Sequence, residues 1–200
     1  HVRSRRQRQM CIRDRPISQV DSSVARFTPT QVPELDRVLG GGLVPGAVIL
    51  LAGEPGVGKS TLLLDAAAKV AAGAAGEAMR TAGPNASTGE GAERASGSRA
   101  TSSGASPRTV LYVTGEESAA QVKLRAERIN ALSDTLYLAA ESDLSAALAQ
   151  VEALSPDLLV VDSVQTLASS EIEGSAGGVS QVREVAASLI HAAKTRNMTT

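Results

Sequence analysis

The stretch "AVILLAGEPGVGKSTLLL", residues 47–64, restricts the fold of this chain more than any other. Its first part, "AVILLAG" (47–53), is an unbroken apolar run ending in glycine, which is how a parallel strand buried on both faces reads. Residues 60–72 then carry Leu62, Ala66 and Val70 at helical spacing. Between the two lies Gly53-x-x-x-x-Gly58-Lys59-Ser60, the phosphate-loop pattern in the strand–loop–helix setting that gives it meaning. Glycines let consecutive backbone N–H groups converge on phosphate oxygens, and the helix N-terminus adds partial positive charge. The spacing therefore predicts that Gly53, Glu54, Pro55, Gly56, Val57, Gly58, Lys59, Ser60 and Thr61 hold ATP. Lys59 is expected at the β- and γ-phosphates, where it would serve binding and catalysis together. The Ser60 hydroxyl is expected on Mg²⁺, and Thr61 near the α-phosphate.

The rest of the chain alternates strand and helix patterns. Strands are predicted at 109–115, 135–140 and 157–163. Ser118 and Gln121 form a capping-box pattern opening a helix whose apolar stripe is Val122, Ala126, Ile129 and Leu132. A second helix is marked by Leu144, Leu148, Val151 and Leu154 and stopped by Ser155-Pro156. A third, at 178–195, is expected to bury Val182, Ala186, Leu189 and Ala193. The order implies an α/β fold, a mostly parallel sheet with helices on both faces. "MTT" at 198–200 reads as the start of a further strand beside the nucleotide strand.

Two further motifs carry chemistry. "LLVVD" (158–162) places Asp162 at a strand's carboxyl end, where it can hold Mg²⁺ through water. Ser163 beside it is placed to sense the γ-phosphate. The strand at 109–115 runs into Glu116-Glu117, two acids at the edge where ligands sit in such sheets. Successive residues point opposite ways, so one of the two faces the nucleotide. Glu116 is the choice for the group that activates water, with Glu117 the alternative, read as a solvated helix-start acid. Lys123, Arg125 and Arg128 read as a solvated helix side, and His191 has no partner at metal-ligand spacing.

Composition narrows the partners. A net charge of −1 makes the chain no polycation, so any nucleic-acid contact must be local or concentrated by assembly. Phe27, Tyr112 and Tyr137 are the only aromatics, which excludes a stacking platform for single strands. No apolar run approaches the roughly 18 residues of a membrane helix, and no signal peptide is visible. Cys11 stands alone, so no internal disulfide is possible, and a cytoplasmic location is expected. Residues 1–20 read as a disordered or non-native leader, arginine-rich over "HVRSRRQRQMCIRDR". Residues 21–200 read as the core, interrupted at 73–107 by a flexible insertion. Of the 38 positions 71–108, 27 are Ala, Gly, Ser or Thr, too little apolar surface to offset ordering entropy.

"ELDRVLGGGLVPGAVILLAGEPGVGKSTLLL" (34–64) resembles the RecA-like P-loop ATPases. With "YVTGEESAAQVKLRAERI" (112–129), "LLVVDSVQTL" (158–167) and "EGSAGGVSQVREVA" (173–186), the chain is similar to the bacterial RadA (Sms) family of DNA-repair ATPases. The resemblance implies a homo-hexameric ring that binds single-stranded DNA and recombination intermediates. Such a ring spends ATP on branch migration and works with the recombinase RecA. It also implies that Glu116, in "GEES", is the catalytic glutamate, and that 168–180 is a DNA-facing loop. Two related classes share this core, a replicative helicase of the DnaB type and a KaiC-like signalling ATPase. The family's four-cysteine zinc module is absent here. Its Lys-Asn-Arg-Phe-Gly motif, source of a cation supplied in trans, and its protease-like domain would follow Thr200, so the core is expected to be truncated at its C-terminus.

Overall fold

The computed structural model describes residues 27–81, 107–171 and 175–200. The leader at 1–20 and most of the insertion at 73–107 lie outside them. In chain order the elements are α1 (Pro33–Val38), α2 (Lys59–Thr81), β1 (Val110–Thr114), α3 (Ala119–Arg128), β2 (Leu136–Ala140), α4 (Leu144–Leu154), β3 (Leu158–Asp162) and α5 (Val179–Arg196). The three strands form a parallel sheet in the order β2-β1-β3. Register runs from Val110 beside Leu136 and Leu158 to Thr114 beside Ala140 and Asp162.

Strand alternation divides the core in two. Val110, Tyr112, Leu158 and Val160 face one way and meet Leu64, Ala67, Ala68, Val70 and Ala71 of α2 and Val122 and Ala126 of α3. Leu111, Val113 and Leu159 face the other way and meet Leu144, Ala147 and Val151 of α4 and Val185 and Leu189 of α5. Period-2 strands lying against period-3.6 helices give this sandwich. It is the expected α/β architecture with both faces covered.

Helix ends follow local chemistry. Ser118 and Gln121 make the reciprocal capping box at the start of α3, and the Asp143 carboxylate accepts from Ala146 N at 2.9 Å to cap α4. Ser155, left-handed at φ 48°, closes α4 just before Pro156. In α2, Gly73 (φ 62°, ψ −172°) breaks the helical path, and 74–81 are helical again, where an insertion was expected to begin. Alanine has the best helix propensity, and this stretch is rich in it.

Three expected burial patterns shift. Residues 47–53 are not a ladder strand, and Val48, Ile49 and Leu50 are exposed, Leu50 to 80%. Their neighbour is Met198–Thr200, in the place "MTT" predicted. Thr199 bridges Leu158, Thr200 N donates to Ala47 O at 2.9 Å, and Ile49 N donates to Thr200 O at 2.8 Å. The pairing reaches no further than Ile49, so the segment lies parallel to β3 without being enclosed. In α3 the stripe stops at Ile129. Leu132 is exposed and Ala131 is buried in its stead, because the helix ends at Arg128. In α5 the buried row is Gln181, Val185, Leu189 and Ala193 rather than Val182 and Ala186.

Gln181 explains that rotation. Its Oε1 accepts from Ser169 N at 2.9 Å and its Nε2 donates to Ser169 O at 3.1 Å, so a wholly buried amide replaces the ladder that Ser169 lacks. Gln181→Leu keeps the bulk and strands both backbone groups. Each buried polar group without a partner costs about 1–3 kcal/mol. The variant is expected to lose about 2–4 kcal/mol in chemical denaturation, and a midpoint within error of the parent would show that the clamp contributes nothing.

Candidate functional site

Parallel order sends every strand's carboxyl end to one edge of the sheet, and the predicted site residues gather there. Residues 47–53 run parallel to β3 and open into the phosphate loop at this edge. Gly56 (φ 81°) and Gly58 (φ 93°) adopt the left-handed region that side chains disfavour, so the loop path requires glycine at both. Gly53 does not have a positive φ, and a Cβ there would meet only Val57 and Lys59 at ordinary contact distances. Residues 53–58 are exposed, and α2 starts at Lys59 and Ser60. Lys59 Nζ donates to the carbonyls of Gly53 at 2.8 Å and Glu54 at 2.7 Å, which folds its ammonium over its own loop.

Asp162 ends β3 on the face that α2 covers, since it shares that side of the pleat with Leu158 and Val160. Its Oδ2 accepts a 2.6 Å hydrogen bond from the phenol of Tyr112. Burial first, and then this bond, push the Tyr112 phenol well above its usual pKa, so it stays a donor. A half-buried carboxylate and the Ser60 hydroxyl are hard oxygen donors of the kind Mg²⁺ takes.

One position along from β1 the two acids separate. Thr114, 2% exposed, accepts at its hydroxyl from Glu116 N at 3.4 Å and Glu117 N at 3.3 Å. This turn throws the two side chains apart. Glu116 is exposed and its Oε1 accepts from Ser163 Oγ at 3.1 Å, across from β3. Glu117 pairs with Arg125 Nη1 at 2.8 Å. The solvated readings of Glu117 and Arg125 are thus both corrected. The Arg125 side chain is only 17% exposed, and its Nε and Nη2 are buried without a hydrogen-bond partner among the described residues. It faces inward because α3 presents Val122 and Ala126 to the core from the same side. Lys123 is solvated as expected, 69% exposed and paired at distance with Glu127.

Gly115 and Thr166 complete the edge. A Cβ on Gly115 would lie 2.5 Å from Thr166 Oγ1 and 2.7 Å from its Cβ, so only glycine lets the two loops close on each other. Thr166 Oγ1 in turn donates to Ser163 O at 2.7 Å, fixing the turn that carries Ser163. Tyr112, Thr114, Arg125 and Thr166 escaped the sequence reading. Of these, Tyr112 alone carried a signal, as a polar-tipped aromatic inside an aliphatic strand, a feature it shares with Tyr137 of β2. Among the described residues no group of three His, Cys, Asp or Glu side chains converges as a metal site.

Residues 14–200 match the family described as AAA domain. The chain belongs to this family. Its sheet, helices and phosphate loop are those of an α/β P-loop fold. Proteins named DNA repair protein RadA are similar along most of the chain. The one from Mycolicibacterium smegmatis is 49% identical over 90% of this chain and 31% of its own length. That from Mycobacterium tuberculosis is 47% identical over 90% and 31%, and that from Streptococcus pneumoniae 41% over 91% and 35%. The resemblance to bacterial RadA read from the four motifs holds across these relatives. The chain spans about a third of the length of the curated relatives it matches.

The loop geometry separates its glycines. Gly56→Ala and Gly58→Ala each force a side chain into left-handed backbone and are expected to cost about 1–2 kcal/mol. Gly53→Ala is expected to leave stability unchanged. Equal losses for all three in thermal denaturation would contradict this reading of the loop.

Proposed function

We propose that the chain is the ATP-hydrolysing core of a DNA-repair motor. In this reading residues 53–61 cradle the triphosphate, and its oxygens replace the Gly53 and Glu54 carbonyls as acceptors for Lys59. Ser60 and Asp162, the latter through water, would hold Mg²⁺, which would neutralise charge on the β- and γ-phosphates. Glu116 takes the proton of the water that attacks the γ-phosphorus, and Ser163 orients Glu116 from the opposite strand. The observation that carries this assignment is the parting of the two acids, with Glu116 turned to Ser163 and Glu117 held by Arg125. The similarity to RadA proteins supports a DNA-repair role. Single-stranded DNA, recombination intermediates and RecA are the proposed partners, a homo-hexamer the proposed assembly, branch migration the proposed output and the cytoplasm the proposed setting. Among the described residues no helix is long and apolar enough to cross a membrane.

Ground-state and transition-state contacts separate by mutation. Lys59→Ala is expected to weaken ATP binding by about 100-fold, the loss of a charge-assisted contact. Glu116→Gln is expected to keep ATP affinity and lower turnover by about 10²–10⁴-fold. Turnover unchanged in Glu116→Gln but lost in Glu117→Gln would move the role to Glu117. ATPase rates with and without single-stranded DNA, in this chain and in one of the relatives' length, test the motor. Turnover indifferent to DNA in the longer chain would favour a signalling ATPase.

A further inference from the structure

Tyr112 is wholly buried in the middle of β1, where a phenol hydroxyl needs a hydrogen-bond partner, and its partner is a carboxylate. Tyr112 reaches past Val160, its register partner on β3, to the last residue of that strand and donates to Asp162 Oδ2 at 2.6 Å. The ring lies in the core cluster that Leu64, Ala67 and Ala68 of α2 and Val122 of α3 also form, and none of it is exposed, so the donor position is set by packing. Asp162 has less support. It ends its strand, is half-buried, and its side chain would otherwise turn freely about χ1 and χ2.

From this contrast we propose that Tyr112 is a positioning residue for Mg²⁺. Its hydroxyl fixes the Asp162 carboxylate by one oxygen and leaves the other free for the cation's water shell. Outer partners that orient a metal-holding group typically account for 10–100-fold in metal affinity. The phenol suits this work because it is neutral and donates only one hydrogen, so it orients the acid without competing as a cation. A lysine or arginine in its place would neutralise the charge that Mg²⁺ needs. The inference rests on the reading of Asp162 as the Mg²⁺ acid.

The test is Tyr112→Phe, which keeps the ring and removes the hydroxyl, with Asp162→Asn alongside. A fluorescent ATP analogue reports nucleotide binding as Mg²⁺ is titrated, and Mn²⁺ binding to the nucleotide complex is followed by electron paramagnetic resonance. Tyr112→Phe is expected to raise half-saturating Mg²⁺ and the Mn²⁺ dissociation constant by about 10-fold. Nucleotide affinity without the metal should be unchanged. The double variant is expected to be no worse than Asp162→Asn. A purely structural tyrosine would lower thermal stability and leave metal dependence where it was. Metal dependence unchanged in Tyr112→Phe but weakened in Asp162→Asn overturns the inference alone. Metal dependence unchanged in both overturns the Asp162 reading and the inference with it. Tyr112→Leu, a second hydroxyl-free filling of the same site, replaces Phe if that variant does not fold.

Discussion

The pairing of β1 with β3 sets the position of everything at the carboxyl edge. Thr114 lies level with Asp162, so the turns that follow the two strands leave the sheet side by side. Ser163 then meets Glu116, Gly115 meets Thr166, and Gly115 N reaches Asp162 O at 3.4 Å. A slip of one residue would turn Asp162 to the α4–α5 face and bury a carboxylate among Leu144, Val185 and Leu189. The cost of an unpaired buried charge makes that register inaccessible. Hydrophobic alternation thus fixes the site as firmly as any contact within it.

Electrostatics then divides identical groups into different tasks. Glu116 and Glu117 are neighbours with the same chemistry, but among the described residues only Glu117 is paired with a cation. Arg125 comes one α3 turn and more after the acids, and its inward aim strands two of its nitrogens in the core. Burying a guanidinium this way is unfavourable unless its charge is matched, and Glu117 supplies the match at 2.8 Å. The ion pair removes one acid from the edge and ties α3 to the end of β1. Glu116, without such a partner among the described residues, stays at the surface with the Ser163 hydroxyl beside it.

Much of this was legible beforehand, and the misses share a cause. Apolar runs and caps located β1, β2, β3, α3, α4 and α5 because their signals are local: Ser118 with Gln121, Asp162 after four apolar residues, Ser155 before Pro156. What sequence did not show were contacts made across the fold. Arg125 looked like one of three basic residues on a wet helix side, since nothing in its own helix reveals that Glu117 stands where its side chain arrives. Gln181 was not in the predicted α5 row, because what buries it is the backbone of Ser169, 12 positions away, and not a signal in its own helix. Leu50 looked buried because an apolar run cannot announce how far its neighbour extends. Side-chain alternation placed Glu116 and Glu117 on different sides, but only the fold decides which side holds the cation.

α5 joins two parts of the molecule that are distant in sequence. At its start Gln181 grips Ser169, in the loop that leaves β3 after Ser163. At its end Asn197 takes a left-handed turn and packs on Gly46, where a Cβ would lie 3.3 Å from the Asn197 amide oxygen. Thr199 Oγ1 donates to Val44 O at 3.0 Å, and Thr200 exchanges both backbone bonds with Ala47 and Ile49. The segment that opens into the phosphate loop is therefore seated on the far end of the helix whose near end holds Ser169. An 18-residue helix spans about 27 Å at 1.5 Å per residue and does not shorten under load. Its buried row, Gln181, Val185, Leu189 and Ala193, gives it one seat on the sheet rather than a continuum of positions. At the Thr200 end, two hydrogen bonds place residues 47–49. Those bonds, with the one from Thr199 to Val44, are what join the end of α5 to the segment that opens into the phosphate loop.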